Sequence, residues 1–434
     1  MVALQVHLLK GDGDLMVEKE VDILDAVFER FLNNVNLFKD RDVLRHDYVP
    51  QKLPHREQQI RYLGMIVAPL LKTARCSNIF IYGKTGTGKT AVIKYVLNRL
   101  AKKAVELDTS VKIAYVNCRL AGTEYRVFSA LCGSMNIDVP FTGLAVGEVF
   151  ERFKRGLEQR GLSLIVVLDE LDELIKARGD VLLYELTRVN ETLSRGKVAI
   201  VGISNDLRFK ELLEPRVLSS LSEEEIVFRP YDASELKDIL WERAALAFSK
   251  NILLDGAVSL CSALAAAEHG DARRALDLLR VAGEVAERNN AQSISEDHVR
   301  EAEKRIEHNR IIDALTNLTL HSKFVLYSVY LLGKAKIYSA ITGDIYEVYT
   351  ELCREIGISP LTQRRVSGLI NELDVIGLLN ARIVSRGRYG RTKKISLAIP
   401  RSPFKEVYAN DDHLSQLLNF NPNCLSTKMR KTIH

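Results

Sequence analysis

The stretch "NIFIYGKTGTGKT", residues 78–90, constrains this chain more than any other. A short apolar run, Ile79 to Tyr82, leads into Gly83-Lys84-Thr85-Gly86-Thr87-Gly88-Lys89-Thr90, the pattern G-x-x-x-x-G-K-[ST]. Phosphate binding asks for this order of residues. The glycines, Gly83, Gly86 and Gly88, let backbone N–H groups curl around a β-phosphate, with Thr85 and Thr87 between them as further cofactor-binding positions. Lys89 is placed to neutralise the β and γ oxygens, and the Thr90 hydroxyl to ligate Mg²⁺. The following residues, from Ala91, carry Val92, Val96 and Leu100 at helical spacing. A helix N-terminus would then add its positive dipole end to the phosphates. The expected cofactors are ATP or ADP with Mg²⁺.

Such a site needs a second carboxylate for the metal. The apolar run Leu164 to Leu168 ends in Asp169-Glu170 and reads as a strand buried on both faces of a parallel sheet. Asp169 would hold Mg²⁺ through water, and Glu170 would orient or activate an attacking water. A further strand ends at Asn205, which could touch the γ-phosphate or that water; taken alone it reads as a turn residue. Strands expected at 78–82, 111–117, 164–168 and 198–203 alternate with helical segments. The fold class is therefore α/β, with the ligand at the carboxyl ends of parallel strands.

With 434 residues the chain is too long for one core. Six scattered cysteines without a C-x-x-C pair, and nine histidines without an H-x-x-x-H pair, argue against a disulfide framework or a zinc site. No apolar run approaches the ~18 residues of a membrane span, and no secretory signal is read at the amino terminus. No membrane partner is expected, and the expected location is cytoplasmic. The net charge of +5 is unevenly spread: residues 311–434 sum to +7 and the remainder to −2, with no acid between Asp374 and Glu406. That pattern fits a polyanion partner confined to the carboxy-terminal part, or a solvated charged face.

The details of that part favour the polyanion. "IYEVYTELCREIG" forms an amphipathic helix closed by Gly357, Pro360 stops it, and Thr362 caps the next helix. "QRRVSGLINELDVIG" buries Val366, Leu369, Ile370 and Leu373, leaving Gln363, Arg364, Ser367 and Asn371 on another face. This is a helix-turn-helix with Gln363, Arg364, Arg365 and Ser367 as candidate DNA contacts. Two alternating strands, "LLNARIV" and "KKISLAI", follow, joined by "SRGRYGRT". The joint reads as the tip of a wing. Arg386, Arg388 and Arg391 are placed for phosphates or a narrow minor groove, with Gly387 and Gly390 allowing close approach and Tyr389 stacking or packing on sugar.

The set of motifs resembles the archaeal Orc/Cdc-type replication initiators, a branch of the AAA+ ATPases. The resemblance rests on "DYVPQKLPHRE", "GKTGTGKT", "YRVFSALCGSMNIDVPFTGL", "VVLDELDEL", "GISND", "EPRVLSSLSEEEIVFRPY", "HGDARRALDLLRVAGE" and "TQRRVSGLINELDVIG…GRYGRTKKI", from about residue 40 to 400. It implies an AAA+ base with a helical lid and a winged-helix domain. Asp169 and Glu170 match the family's Walker B pair and Asn205 its first sensor. Arg216 matches an arginine-finger position, and Arg273 a second sensor reaching the γ-phosphate from the lid. Tyr48, Val49 and Pro50 lie where the family encloses the adenine; Tyr231 and Arg243 occupy further nucleotide-contacting positions. On residue type alone Arg216 is undistinguished and Arg273 reads as a solvated helix arginine, with Asp271 as the cap of its helix. Residues 119–160 are either a helix pair covering the sheet or the family's DNA-touching insert.

The expected layout is an extension over 1–40, a nucleotide-binding base over 41–229, a lid over 230–310, a winged helix over 311–400 and a tail over 401–434. Residues 1–20 and the tail after Pro400 are expected to be partly disordered. The expected function is ATP-dependent binding of double-stranded origin DNA, preparing it for a replicative helicase or other initiator subunits, with slow regulatory hydrolysis. The rivals are a helicase- or clamp-loading ATPase with little sequence choice and a nucleotide-gated transcription regulator.

Overall fold

The computed structural model describes residues 24, 36–46, 48–221, 223–385, 391–411, 413–417, 420 and 422–424. They form two compact units that divide at Arg300/Glu301. This change-over falls inside one helix, Glu296–Thr316.

The first unit is built on a five-stranded parallel sheet: β1 (Asn78–Tyr82), β2 (Val111–Asn117), β3 (Ser163–Asp169), β4 (Lys197–Ser204) and β5 (Glu223–Val227), in the order β2-β3-β4-β1-β5. Every residue of β3 is buried, as its unbroken apolar run requires. Side chains alternate between two cores. Leu164, Val166 and Leu168 face one and Ile165 and Val167 the other. Helices α1 (Glu57–Val67) and α2 (Lys89–Glu106) cover the second face. The first is covered by α4 (Glu124–Ser134), α5 (Val146–Arg160), α6 (Leu171–Arg178), α7 (Val181–Thr192) and α8 (Pro215–Leu221), with the short α3 (Cys118–Ala121) at the end of β2. So residues 119–160 do pack as a pair of sheet-covering helices, although Phe141 between them is exposed.

The edge strand β5 was not among the expected strands. Three consecutive acids, Glu223 to Glu225, hide it, and only Ile226 is buried. Charged side chains are tolerated there because the strand pairs on one side alone, with β1.

The lid follows as α9 (Ala233–Ala247), α10 (Asp255–Ala267) and α11 (Ala272–Arg288), running into α12 (Glu296–Thr316). Asp271 caps α11, accepting from the Arg273 and Arg274 amides. The chain ahead of residue 41 is partly lid as well. Leu37 and Phe38 are buried, Phe38 packs on Phe248 at 4.8 Å, and the Lys39 amide bonds the Ala247 carbonyl.

In the second unit, α13 (Leu320–Lys334), α14 (Thr342–Glu355) and α15 (Gln363–Ile376) precede the hairpin β6 (Leu379–Ser385) and β7 (Arg391–Leu397). Gly357, with φ of 77°, closes α14, and the Thr362 hydroxyl caps α15 by accepting from the Arg365 amide. Val366, Leu369, Ile370 and Leu373 are buried. Of the tail after Pro400, expected to be partly disordered, residues 402–411 and 413–417 are described and pack onto the winged-helix core. Here α16 (Ser402–Ala409) sends Phe404, Val407 and Tyr408 into the winged-helix core, followed by Leu414 and Leu417. The Lys323–Asp411 ion pair (2.7 Å) ties this segment to α13. Phe404, Val407 and Tyr408 do carry the helical i, i+3, i+4 spacing, but within a helix of 8 residues that pattern is too short to announce one. Residues 1–20 lie outside the described residues.

Candidate functional site

A cleft of about 350 Å³ opens at the carboxyl ends of β1, β3 and β4, a size suited to a small ligand. The loop between β1 and α2 lines it with Thr85, Gly86, Thr87 and Gly88, and the first turn of α2 with Lys89, Thr90 and Ala91. Lys89 is 5 % exposed; its ammonium donates to the carbonyls of Gly83 (2.5 Å) and Lys84 (2.7 Å) and to Asn205 Oδ1 (2.9 Å). Burial pushes its pKa down to about 8; Asp169 opposes that shift and Arg273 reinforces it. Two cations from opposite sides thus face one place, an arrangement that an anion between them would relieve.

The carboxylates sit across from the loop. Thr90 Oγ1 donates to Asp169 Oδ2 at 3.1 Å. The Tyr115 hydroxyl donates to the same oxygen, and burial raises that phenol well above its usual range. Glu170 takes a left-handed φ of 52°, which strains a non-glycine residue. Asn117 Nδ2 donates to its carboxylate at 3.2 Å. Asn117 lies level with Asp169 in the β2–β3 register, which is how a strand-end amide reaches it. Sequence reasoning named neither Tyr115 nor Asn117. Their signal is the pairing of β2 with β3, which no linear motif carries.

From the lid side, Arg273 and Tyr231 line the cleft, and Tyr48, Val49 and Pro50 close another wall. Arg243 also lines it, but the residue is 8 % exposed and its guanidinium is committed to backbone: it donates to the carbonyls of Val43 (2.9 Å) and Tyr48 (3.3 Å) and lies over the Tyr48 ring. It shapes the wall through Tyr48. Gly83 contributes through its carbonyl. Arg216 is not brought to this cleft. It stands at the start of α8, paired with Glu214 at 2.7 Å and over the Tyr184 ring.

Thr90 and Asp169 offer a hydroxyl and a carboxylate, oxygen donors that fit Mg²⁺. Among the described residues no group of three His, Cys, Asp or Glu side chains could hold a metal by itself. A cation here would therefore draw its remaining ligands from phosphates and water.

The second unit carries a wider, open cleft of about 790 Å³ between α15 and the hairpin. Gln363, Arg364, Ser367, Asn371, Thr392 and Lys393 line it, joined by Thr342 and Gly343 at the start of α14, and no acid does. Lys393 Nζ donates to Asn371 Oδ1. Arg365 is not in this lining; it is exposed and reaches Glu372 at 3.5 Å. Arg386, Gly387, Arg388, Tyr389 and Gly390 lie outside the described residues, as does the side chain of Arg391.

Comparison with known proteins finds family matches in both units. The pattern described as "AAA domain" matches residues 72–209, "Cdc6 AAA+ ATPase-type lid domain" residues 237–304, and "CDC6, C terminal winged helix domain" residues 313–407. The ORC1-type DNA replication protein of Thermococcus onnurineus is 50% identical over 399 residues, 91% of this chain and 96% of that one. The chain belongs to the ORC1/Cdc6 family of DNA replication proteins. The ORC1-type protein of Pyrococcus abyssi is 49% identical over 407 residues, covering 93% of this chain and 97% of its own length. Among solved structures, the Aeropyrum pernix ORC1 protein, determined in complex with DNA, matches with a TM-score of 0.80 and 48% identity, over 88% of this chain and 99% of its own. The Cdc6p structure from Pyrobaculum aerophilum, at 23% identity and a TM-score of 0.56, covers 92% of this chain and 99% of its own and shares the fold. This ORC1/Cdc6 protein thus has an AAA+ ATPase-type nucleotide-binding unit and a winged-helix unit. No helix among its described residues is long and apolar enough to cross a membrane.

Proposed function

We propose that this ORC1/Cdc6 protein is a replication initiator. It binds duplex origin DNA through the winged-helix unit, gates that binding by nucleotide, and prepares the site for a replicative helicase or further initiator subunits. The observation that carries the DNA reading is the open cleft lined by Gln363, Arg364, Ser367, Asn371 and Lys393 without an acid. Amides there offer paired donors and acceptors to base edges, and the cations meet phosphates. Arg386, Arg388 and Arg391 extend the same chemistry into the wing sequence.

In the nucleotide cleft, Lys89 holds the β and γ oxygens and Arg273 reaches the γ-phosphate from the lid. Tyr48, Val49 and Pro50 enclose the adenine. Thr90 and Asp169 would hold Mg²⁺, which would supply neutralisation of phosphate charge. Glu170, fixed by Asn117, accepts the proton of the attacking water, and Asn205 orients that water. Hydrolysis is slow and regulatory because Arg216 stands outside its own chain's cleft. Transition-state charge then awaits a cation from a second subunit. A working place in the cytoplasm, on the nucleoid, follows from this reading.

The test is sequencing of genomic fragments retained by the purified full chain at physiological salt, with ATP and with ADP. A few sharp peaks at the start point of DNA synthesis, differing between nucleotides, support the initiator. A flat profile in both overturns it in favour of a loader with little sequence choice.

A further inference from the structure

Arg56, just ahead of α1, is 0 % exposed. No carboxylate pairs with it among the described residues. Its guanidinium donates instead to three carbonyls: Nε to Thr87 at 3.1 Å, one terminal nitrogen to His55 at 3.0 Å, the other to Arg229 at 2.9 Å. The Tyr231 ring lies against it, 3.7 Å from the guanidinium carbon to the ring centroid. Burial lowers its pKa. An aliphatic side chain of similar volume would fill this space without a buried charge. What arginine adds is a planar fork that bonds two remote segments at once. Thr87 belongs to the phosphate loop. Arg229 belongs to the connection from β5 to α9, where the lid begins.

Two further contacts complete a circuit. A Cβ at Gly88, whose φ is 89°, would lie 2.7 Å from the Tyr231 hydroxyl, and one at Gly86, whose φ is 70°, would run into the Asp271 carboxylate. Beside these, the Ala272 amide donates to the Gly86 carbonyl at 3.1 Å, and the Tyr231 amide to Gly270 at 3.3 Å. Loop, hinge and the start of α11 therefore touch one another through backbone and buried side chains.

We infer that Arg56 is a positioning residue of the nucleotide site, tying the phosphate loop at Thr87 to the lid hinge at Arg229 and Tyr231, so that occupancy of the loop sets the position of the lid. The inference rests on the nucleotide reading above. Arg56 does not touch the phosphates; it acts through the Thr87 carbonyl and the Tyr231 ring. Lysine keeps the charge but loses the fork.

The test compares hydrogen exchange of the full chain with and without Mg²⁺-ADP, reading the Tyr231 and Ala272 amides, in wild type and in Arg56→Lys. In wild type, ADP is expected to slow both amides by about tenfold, a typical size for coupling between sites. In Arg56→Lys, ADP still binds, but the slowing at both amides drops below about twofold. A merely structural role would speed exchange throughout the first unit and leave the ADP-dependent difference intact; that result overturns the inference. Should Arg56→Lys not fold, Tyr231→Leu removes the ring under the guanidinium, and loss of the ADP effect at Ala272 is again expected, its persistence again fatal. Failure of wild type to bind ADP at all overturns the nucleotide reading together with this inference, whereas an unchanged Arg56→Lys overturns the inference alone.

Discussion

The two clefts differ in how firmly their residues are held before any ligand arrives. In the nucleotide cleft three charged groups at its centre already have fixed partners: Lys89 on two carbonyls and Asn205, Asp169 on Thr90 and Tyr115, Glu170 on Asn117. In the winged-helix cleft, by contrast, Lys393 is tied to Asn371, but α15 presents Gln363 and Arg364 to an open groove. The contrast follows from the chemistry asked of each. Phosphoryl transfer needs groups placed to a fraction of an ångström and a site that does not reorganise. DNA binding draws on long-range attraction to a regular array of phosphates, and long side chains settle onto it afterwards.

That comparison is sharpest at Glu170. Glu170→Gln keeps the shape and the Asn117 contact but removes the proton acceptor, so ATP turnover should fall by about a thousandfold while ATP affinity stays near wild type. Turnover within a few-fold of wild type would show that the ordered carboxylate does not serve catalysis. Next in size is Lys89→Ala. Loss of one charge-assisted bond to phosphate should weaken ADP binding by about a hundredfold, measured by calorimetry, with DNA affinity in the absence of nucleotide unchanged.

A third measurement uses pH. The Lys89 ammonium has its pKa lowered to about 8, so it is mostly charged at pH 7 and mostly neutral at pH 9. Bound phosphate favours the charged form. Binding therefore takes up a proton as pH rises through 8, and ADP affinity should fall by about tenfold between pH 7 and 9. A flat profile over that window removes Lys89 as the titrating group. The smallest effects belong to the open cleft. Arg364→Ala should weaken duplex binding by about fivefold and lower the salt slope by about one, while Arg365→Ala, paired with Glu372 outside the groove, should change it less than twofold. Equal losses from the two would erase the distinction between groove and surface on α15.

The phosphate loop, the Asp169-Glu170 pair, the caps at Asp271 and Thr362 and the buried stripe of α15 were all legible in the sequence. Each depends on residues within a few positions of one another, where backbone geometry alone sets what side chains can do. The edge strand β5 was not, because its acids carry no apolar alternation; nor was α16, whose Phe404 and Tyr408 are buried against Tyr330 and Tyr327 of α13. Arg56, Tyr115 and Asn117 were hidden for a related reason. Arg56 meets partners 31 and 173 positions away, and Asn117 meets Glu170 across 53. Local order fixes which groups exist and which way a strand or helix presents them. Only strand order and the closure of hinge upon loop decide which of those groups meet, because hydrogen bonds reach about 3 Å and no linear pattern records that distance.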